Sequence, residues 1–132
     1  MTSNNEILGV VLGGWIEGLR LRDLGLVERH LHPDAVWQGV RENLVCRGRD
    51  DVLENLAQAQ GRLPDVHGLE LSAHGDQVLL GVRSPDLTEV AGETLHEAIY
   101  NVFTIADGLI ARIDDFRTRD EAIAAMRSPR DG

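Results

Sequence analysis

From Val66 onward the apolar residues of this chain recur at every second position, whereas before Pro64 they recur at every third or fourth. A segment patterned for the 3.6-residue period buries one face only as a helix, and one patterned for a period of two only as a strand, so this change decides the fold class. In the first half Ile7, Val11, Trp15 and Leu19 follow one another at i+4, with Leu8, Leu12 and Ile16 on the adjacent row. They give a helix starting near Ser3 or Asn4 one wide apolar stripe, which requires a large surface to lie against. Gly9 and Gly13 lie four apart on that helix, with Gly14 beside them. Each costs up to roughly 1 kcal/mol relative to Ala, which points to close approach of another backbone there. Asp23 is placed to cap a second helix through Leu24, Val27 and Leu31 that ends at Pro33. Ala35 to Gly39 and Asn43 to Arg47 read as short strands, and a third helix after Gly48 carries Val52, Leu53, Leu56 and Ala57 on its apolar side, with Gly61 and Pro64 beyond its end.

Four alternating runs follow: Val66 to Gly75, Gln77 to Ser84, Glu93 to Ala106 and Leu109 to Thr118. Gly75-Asp76, Ser84-Pro85-Asp86 and Asp107-Gly108 separate them, and the last is the strongest hairpin signal in the chain. A final amphipathic helix runs from about Arg119 to Met126, with a frayed Ser-Pro-Arg-Asp-Gly tail. Helices first and a meander afterwards specify a segregated α+β fold rather than alternating α/β. The 132 residues, 42% hydrophobic, form one domain over 1–132 with a core that needs no disulfide or structural metal.

Charge excludes several functions. Thirteen basic residues stand against 22 acidic ones, a net charge of −9, so a phosphate backbone or an anionic membrane finds no electrostatic footprint, and neither nucleic acid nor membrane is expected as a partner. All thirteen are Arg, which removes Schiff-base lysine chemistry and the phosphate-loop lysine. Cys46 is the single cysteine, a small buried hydrophobe in a reducing compartment. The apolar run from Ile7 to Ile16 is too short to span a bilayer and lacks the positive flank of a signal sequence, so a cytoplasmic location is expected. His30, His32 and Asp34 form a His-x-His-x-Asp around Pro33 whose side chains have no reason to converge, and no metal or other cofactor is expected. His67, His74 and His96 read as structural or solvated histidines, and four serines without a Gly-x-Ser-x-Gly give no support to a hydrolase triad.

Three stretches together resemble the nuclear transport factor 2-like superfamily, in its polyketide-cyclase (SnoaL-like) and ketosteroid-isomerase branch. They are Trp15-Ile-Glu-Gly-Leu-Arg-Leu-Arg-Asp23 leading to Leu31-His-Pro-Asp-Ala-Val-Trp37, then Cys46-Arg-Gly-Arg-Asp-Asp51, then Val102-Phe-Thr-Ile-Ala-Asp-Gly-Leu-Ile110 with Phe116 beyond. The resemblance implies a cone: a strongly curved antiparallel or mixed sheet, with N-terminal helices closing an internal apolar pocket. It also implies a homodimer packed through the outer sheet face, where Thr94, His96, Ala98, Tyr100, Val102 and Thr104 alternate away from the pocket. Of the three ketosteroid-isomerase positions, the helix-one tyrosine falls on Trp15, the base on Gly39 and the second donor on Asn101. Trp15 has only an indole N–H and Gly39 no side chain, so steroid-isomerase chemistry in its usual form is not expected.

Asn101 remains able to donate an amide N–H to a ligand carbonyl. With a two-residue Asp107-Gly108 turn, Asp114 lies opposite Asn101; a one-residue bulge presents Asp115 instead. A carboxylate among Trp15, Trp37, Phe103 and Phe116 is desolvated, which raises its pKa toward the range of acid/base catalysis. Two functions follow. The first is a non-catalytic, dimeric domain binding an apolar small molecule against Trp15, Trp37, Asn101, Phe103 and Phe116. The alternative is a cofactor-independent isomerase or cyclase acting on a small apolar carbonyl compound, with Asp114 or Asp115 as acid/base and Asn101 as carbonyl donor.

Overall fold

The apolar i+4 row does form a helical rod, in three consecutive segments: α1 (Asn4–Val10), a π-helical stretch (Val11–Ile16) and α2 (Glu17–Arg20). Ile7, Val11 and Trp15 point into the core, while Leu12 on the adjacent row stays about half exposed. The computed structural model describes residues 4–41, 43–59, 66–85, 87, 89–90, 93–94 and 97–127. Ser3, Gly61, Pro64, Asp86, His96 and the C-terminal tail, all used in the sequence reading, lie outside these.

Asp23 caps α3 (Leu24–Arg29), its carboxylate accepting from the Leu26 N–H. The helix ends sooner than Pro33, and Leu31 already opens β1 (Leu31–Gln38). Pro33 is tolerated in that strand because pairing with its neighbour is irregular between Leu31 and Val36. A hairpin joins β1 to β2 (Val45–Arg47), and α4 (Arg49–Ala59) follows with Val52 and Leu56 buried and Ala57 exposed. Then come β3 (Gly68–His74), β4 (Gln77–Arg83), a two-strand ribbon of β5 (Glu89–Val90) and β6 (Glu93–Thr94), β7 (Ala98–Ala106), β8 (Leu109–Phe116) and α5 (Arg119–Arg127). The run expected to be one strand from Glu93 to Ala106 is broken at Glu97. That residue takes a φ of 61° and bonds through its N–H to Leu87 and its carbonyl to Ser84. A left-handed residue cannot continue a strand.

The main sheet has the order β2-β1-β8-β7-β4-β3, antiparallel except for β1 alongside β8. Together with the N-terminal helices it makes the α+β cone. Its inner face, with Val78, Leu80, Phe103, Ile105 and Ile113, meets Ile7, Val11, Trp15, Val27, Val52 and Leu56 in one core. The outer face is not bare. α5 folds across it, burying Leu79 and Val102 against Ala122, with Ile123, Met126, Tyr100 and Phe116 around them. Arg119 anchors the helix start through bonds to both Glu70 carboxylate oxygens. Val102 is 1% exposed and Thr104, which accepts from Gln77, is buried as well. Among the described residues of the outward row, Val102 and Tyr100 pack under the chain's own last helix. Among the described residues no helix is long and apolar enough to cross a membrane.

Close approach along the first rod occurs at Gly14 and Gly18 rather than at Gly9 and Gly13. A methyl group at Gly9 or Gly13 would meet nothing, whereas at Gly14 it would lie 2.4 Å from the His30 ring and at Gly18 2.4 Å from Val27 Cγ2. Gly14 and Gly18 are thus the pair that lets α3 lie against the rod. Gly14→Ala and Gly18→Ala should each destabilise the protein by roughly 1–3 kcal/mol through overpacking. Gly9→Ala should be neutral or stabilising by up to ~1 kcal/mol through helix propensity alone. Urea denaturation of the three variants measures this directly, and equal effects at all three positions would refute the packing role.

Candidate functional site

Hairpin chemistry sets the site. Asp107 and Gly108 both have positive φ, 55° and 76°, as a two-residue turn with right-handed strand twist requires, and Ala106 pairs with Leu109. A bulge follows at once: Ile105 pairs with Ile110 but Thr104 with Arg112, leaving Ala111 as the extra residue. Beyond it the register is shifted by one, so Asn101 faces Asp115 and Val102 faces Asp114. Side chains alternate along a strand, and the bulge therefore decides which carboxylate turns inward.

Asp115 does. Its Oδ1 accepts from the indole Nε1–H of Trp37 at 2.9 Å and from the amide Nδ2–H of Asn101 at 2.6 Å. Asp114 is corrected to the outer face, where both its oxygens accept from Arg112 Nε at 3.0–3.1 Å near the surface. Phe116 also belongs to the outer face, opposite Tyr100 and within the cluster under α5, and does not share a wall with Trp15. Trp15 and Phe103 are core. Trp15 is 4% exposed and Phe103 fully buried, with the Trp15 ring edge-on to Trp37 at 5.3 Å and to Phe103 at 5.4 Å. At this level the three rings pack edge-on against one another as part of the core between sheet and helices. Asn101, only 8% exposed, has one amide N–H committed to the carboxylate rather than to a ligand carbonyl.

The open space lies elsewhere. A cavity of about 360 Å³ sits at the parallel C-terminal ends of β1 and β8, with Gln38, Gly39, Asp114, Asp115, Arg117 and Glu121 among its lining residues. Part of Asp115 meets solvent: Oδ1 is held by its two donors, and Oδ2, which has no bond partner among the described residues, is not among the fully buried polar atoms. Burial pushes that carboxyl up from 3.8 to about 7; the Trp37 and Asn101 donors oppose the rise and the Asp114 carboxylate adds to it. The Cys46 thiol, paired across from Trp37, is pushed up by burial and by the Asp51 and Asp115 charges, as suits a packing residue rather than a nucleophile.

At Gly39, onto which the resemblance puts the isomerase base, packing leaves no room for a side chain. A Cβ there would lie 2.9 Å from Leu44 Cβ and 3.2 Å from the Leu44 carbonyl oxygen, to which the Gly39 N–H bonds. The histidines around Pro33 part company: His30 Nδ1 bonds the Leu26 carbonyl, and His32 Nδ1 accepts from the Asp34 N–H. Among the described residues no three His, Cys, Asp or Glu side chains are placed to hold a metal ion. Sequence reasoning missed Trp37 as a hydrogen-bond donor, since nothing in the pattern reveals that β1 runs parallel to β8.

The model of the SnoaL-like domain matches residues 12–113. The chain belongs to the SnoaL-like family. Solved structures with the same fold as this SnoaL-like chain include a candidate SnoaL-like polyketide cyclase from Jannaschia sp. CCS1, 17% identical over 98% of this chain and 99% of that one, with a TM-score of 0.68. A candidate polyketide cyclase from Sinorhizobium meliloti is 22% identical over 83% and 93%, with a TM-score of 0.59. An LEH-like epoxide hydrolase from M. tuberculosis is 21% identical over 92% and 89%, with a TM-score of 0.63. No protein of curated function matches the sequence. In this SnoaL-like chain Asp115 lies just past the matched stretch, so the family match and the carboxylate geometry are separate observations.

The Asp115 environment makes stability depend on pH. Unfolded, the carboxyl ionises near 3.8; folded, near 7. Between those values the folded state binds more protons, so stability is lost as pH rises through the window and levels off above it. Asp115→Asn keeps an oxygen for both donors and removes the charge. Its stability relative to wild type should rise by on the order of a few kcal/mol between pH ~4 and ~8. Thermal unfolding of both proteins across that range checks it, and a constant difference would show that the carboxyl is not desolvated.

Proposed function

We propose that this chain is a cofactor-independent enzyme that moves a proton on a small carbonyl-bearing compound, with Asp115 as the acid/base group and Trp37 and Asn101 as its holders. One observation carries the reading: a carboxyl group raised by burial to a pKa of about 7, on the wall of a cavity. A group that titrates near the working pH serves equally as base and acid, which proton transfer in both directions demands. At about 360 Å³ the cavity matches small-molecule sites. The names of the structural neighbours, polyketide cyclase and epoxide hydrolase, support an oxygen-bearing substrate, since either reaction needs a proton moved at an oxygen or at the carbon beside one.

The role of Asn101 differs from that of a carbonyl donor. Its amide holds the carboxylate, and removing it acts on the position and pKa of Asp115. The second reading is a non-catalytic binding domain, whose small-molecule ligand would occupy the same cavity at the strand ends.

The two readings part on α-proton exchange of a simple 1,3-diketone or aryl ketone in heavy water, followed by NMR. The wild type should accelerate exchange, Asp115→Asn should lose on the order of 10² to 10⁴ of that rate, and Asp114→Asn should keep it. Trp37→Phe removes a donor that lowers the Asp115 pKa, so the pH profile should move to higher pH. Exchange unchanged in Asp115→Asn would leave the binding domain as the function.

A further inference from the structure

The two N–H donors do not share the Asp115 carboxyl evenly. Trp37 Nε1 and Asn101 Nδ2 both end on Oδ1, and among the described residues none bonds Oδ2. They arrive from different strands, Trp37 from β1 and Asn101 from β7, so Oδ1 is fixed from two sides while β8 carries the carboxyl itself. The Trp37 indole can only donate. The Trp15 ring edge-on against it, itself wedged on Phe103, holds the indole in place, and neither ring can accept a proton in return. With the Asn101 amide turned as it is, a hydrogen on Oδ1 would point at one of two N–H groups already directed there, which leaves a buried donor without an acceptor.

We infer that Oδ2 of Asp115 is the one atom of this site that takes up and releases the proton, Oδ1 being held as an acceptor in both charge states. The inference deepens the acid/base reading and rests on it for its catalytic consequence. In the forward step a substrate C–H bond beside a carbonyl breaks, its hydrogen forms an O–H bond at Oδ2, and the electron pair moves into the carbonyl to give an enolate. Return of the hydrogen from Oδ2 to another substrate atom restores the carboxylate, so the cycle balances without a further reactant. Trp37 and Asn101 are positioning residues in this scheme: they act through the carboxyl rather than on the substrate. The charged and titratable groups around the carboxyl are Asp114 beside it on β8, the Cys46 thiol on β2 with Asp51 of α4 behind it, and Arg117 and Glu121 on the same cavity. Asp114, Cys46 and Asp51 do not bond Oδ1 or Oδ2.

Infrared spectroscopy of the full chain tests this without a substrate. Spectra at about pH 5 and about pH 9 bracket the titration, and subtracting the same pair for Asp115→Asn isolates the protonated Asp115 carboxyl. With the hydrogen on Oδ2, the C=O oxygen is Oδ1, and two hydrogen bonds weaken its stretch. Trp37→Phe and Asn101→Leu should therefore each move the band to higher frequency, and together further. The two substitutions are independent, so a folding failure in one leaves the other to decide. A band that stays in place in a folded variant would put the hydrogen on Oδ1 and overturn the inference, and so would the lack of any band lost in Asp115→Asn. Band shifts with no α-proton exchange would leave the inference standing and reject the proposed enzyme. Exchange lost in Asp115→Asn with an unmoved band would do the reverse.

Discussion

Three strands of the sheet meet at one oxygen. Trp37 on β1, Asn101 on β7 and Asp115 on β8 converge on Oδ1, and that convergence links the curvature of the sheet to the chemistry the site can perform. A buried carboxylate without donors would simply stay neutral or force water in. With two N–H groups on one oxygen, its charge is partly compensated, and the pKa settles where both forms are populated near neutrality. Behind the carboxyl, the edge-on contacts among Trp15, Trp37 and Phe103 convert core packing into positional precision. The aromatic residues serve the site as its backing, and their own faces stay closed.

The helical side is held by a different device. Gly14 and Gly18 remove side-chain bulk where His30 and Val27 press in, and the π-helical stretch between Val11 and Ile16 runs through the first of these contacts. Here a widened turn and a missing Cβ bring Trp15 to the sheet and α3 to the rod together. π-helical turns concentrate at sites that need such local adjustment.

Much of this was legible in the sequence, for physical reasons that can be named. The change from helical to alternating period marked the α+β layout, Asp23 announced its cap, and Asp107-Gly108 its turn, because each depends on residues close in the chain. What escaped depended on partners far away. The bulge at Ala111 carries no composition signal, yet it exchanges Asp114 for Asp115; the pattern alone left both open. The parallel pairing of β1 with β8 is a long-range choice, and with it goes the Trp37 donor. Of the three glycines the sequence points to, only Gly14 makes the close contact, and Gly18 joins it, since only the neighbouring α3 distinguishes them from Gly9 and Gly13. The same bulge at Ala111 turns Phe116 to the outer face, where it packs beside Tyr100 under the last helix.

The tight contact of Gly39 with Leu44 bears on how such a site can change over time. A carboxylate at position 39 is one substitution away in chemistry and much further in structure, because the β1–β2 hairpin closes onto that α-carbon. A chain acquiring a carboxylate at the end of β1 would first have to reshape the hairpin, in an intermediate that loses packing against Leu44. The scaffold thus biases its own diversification: variation at the rim of the strand ends is cheap, and relocation of the charge is not.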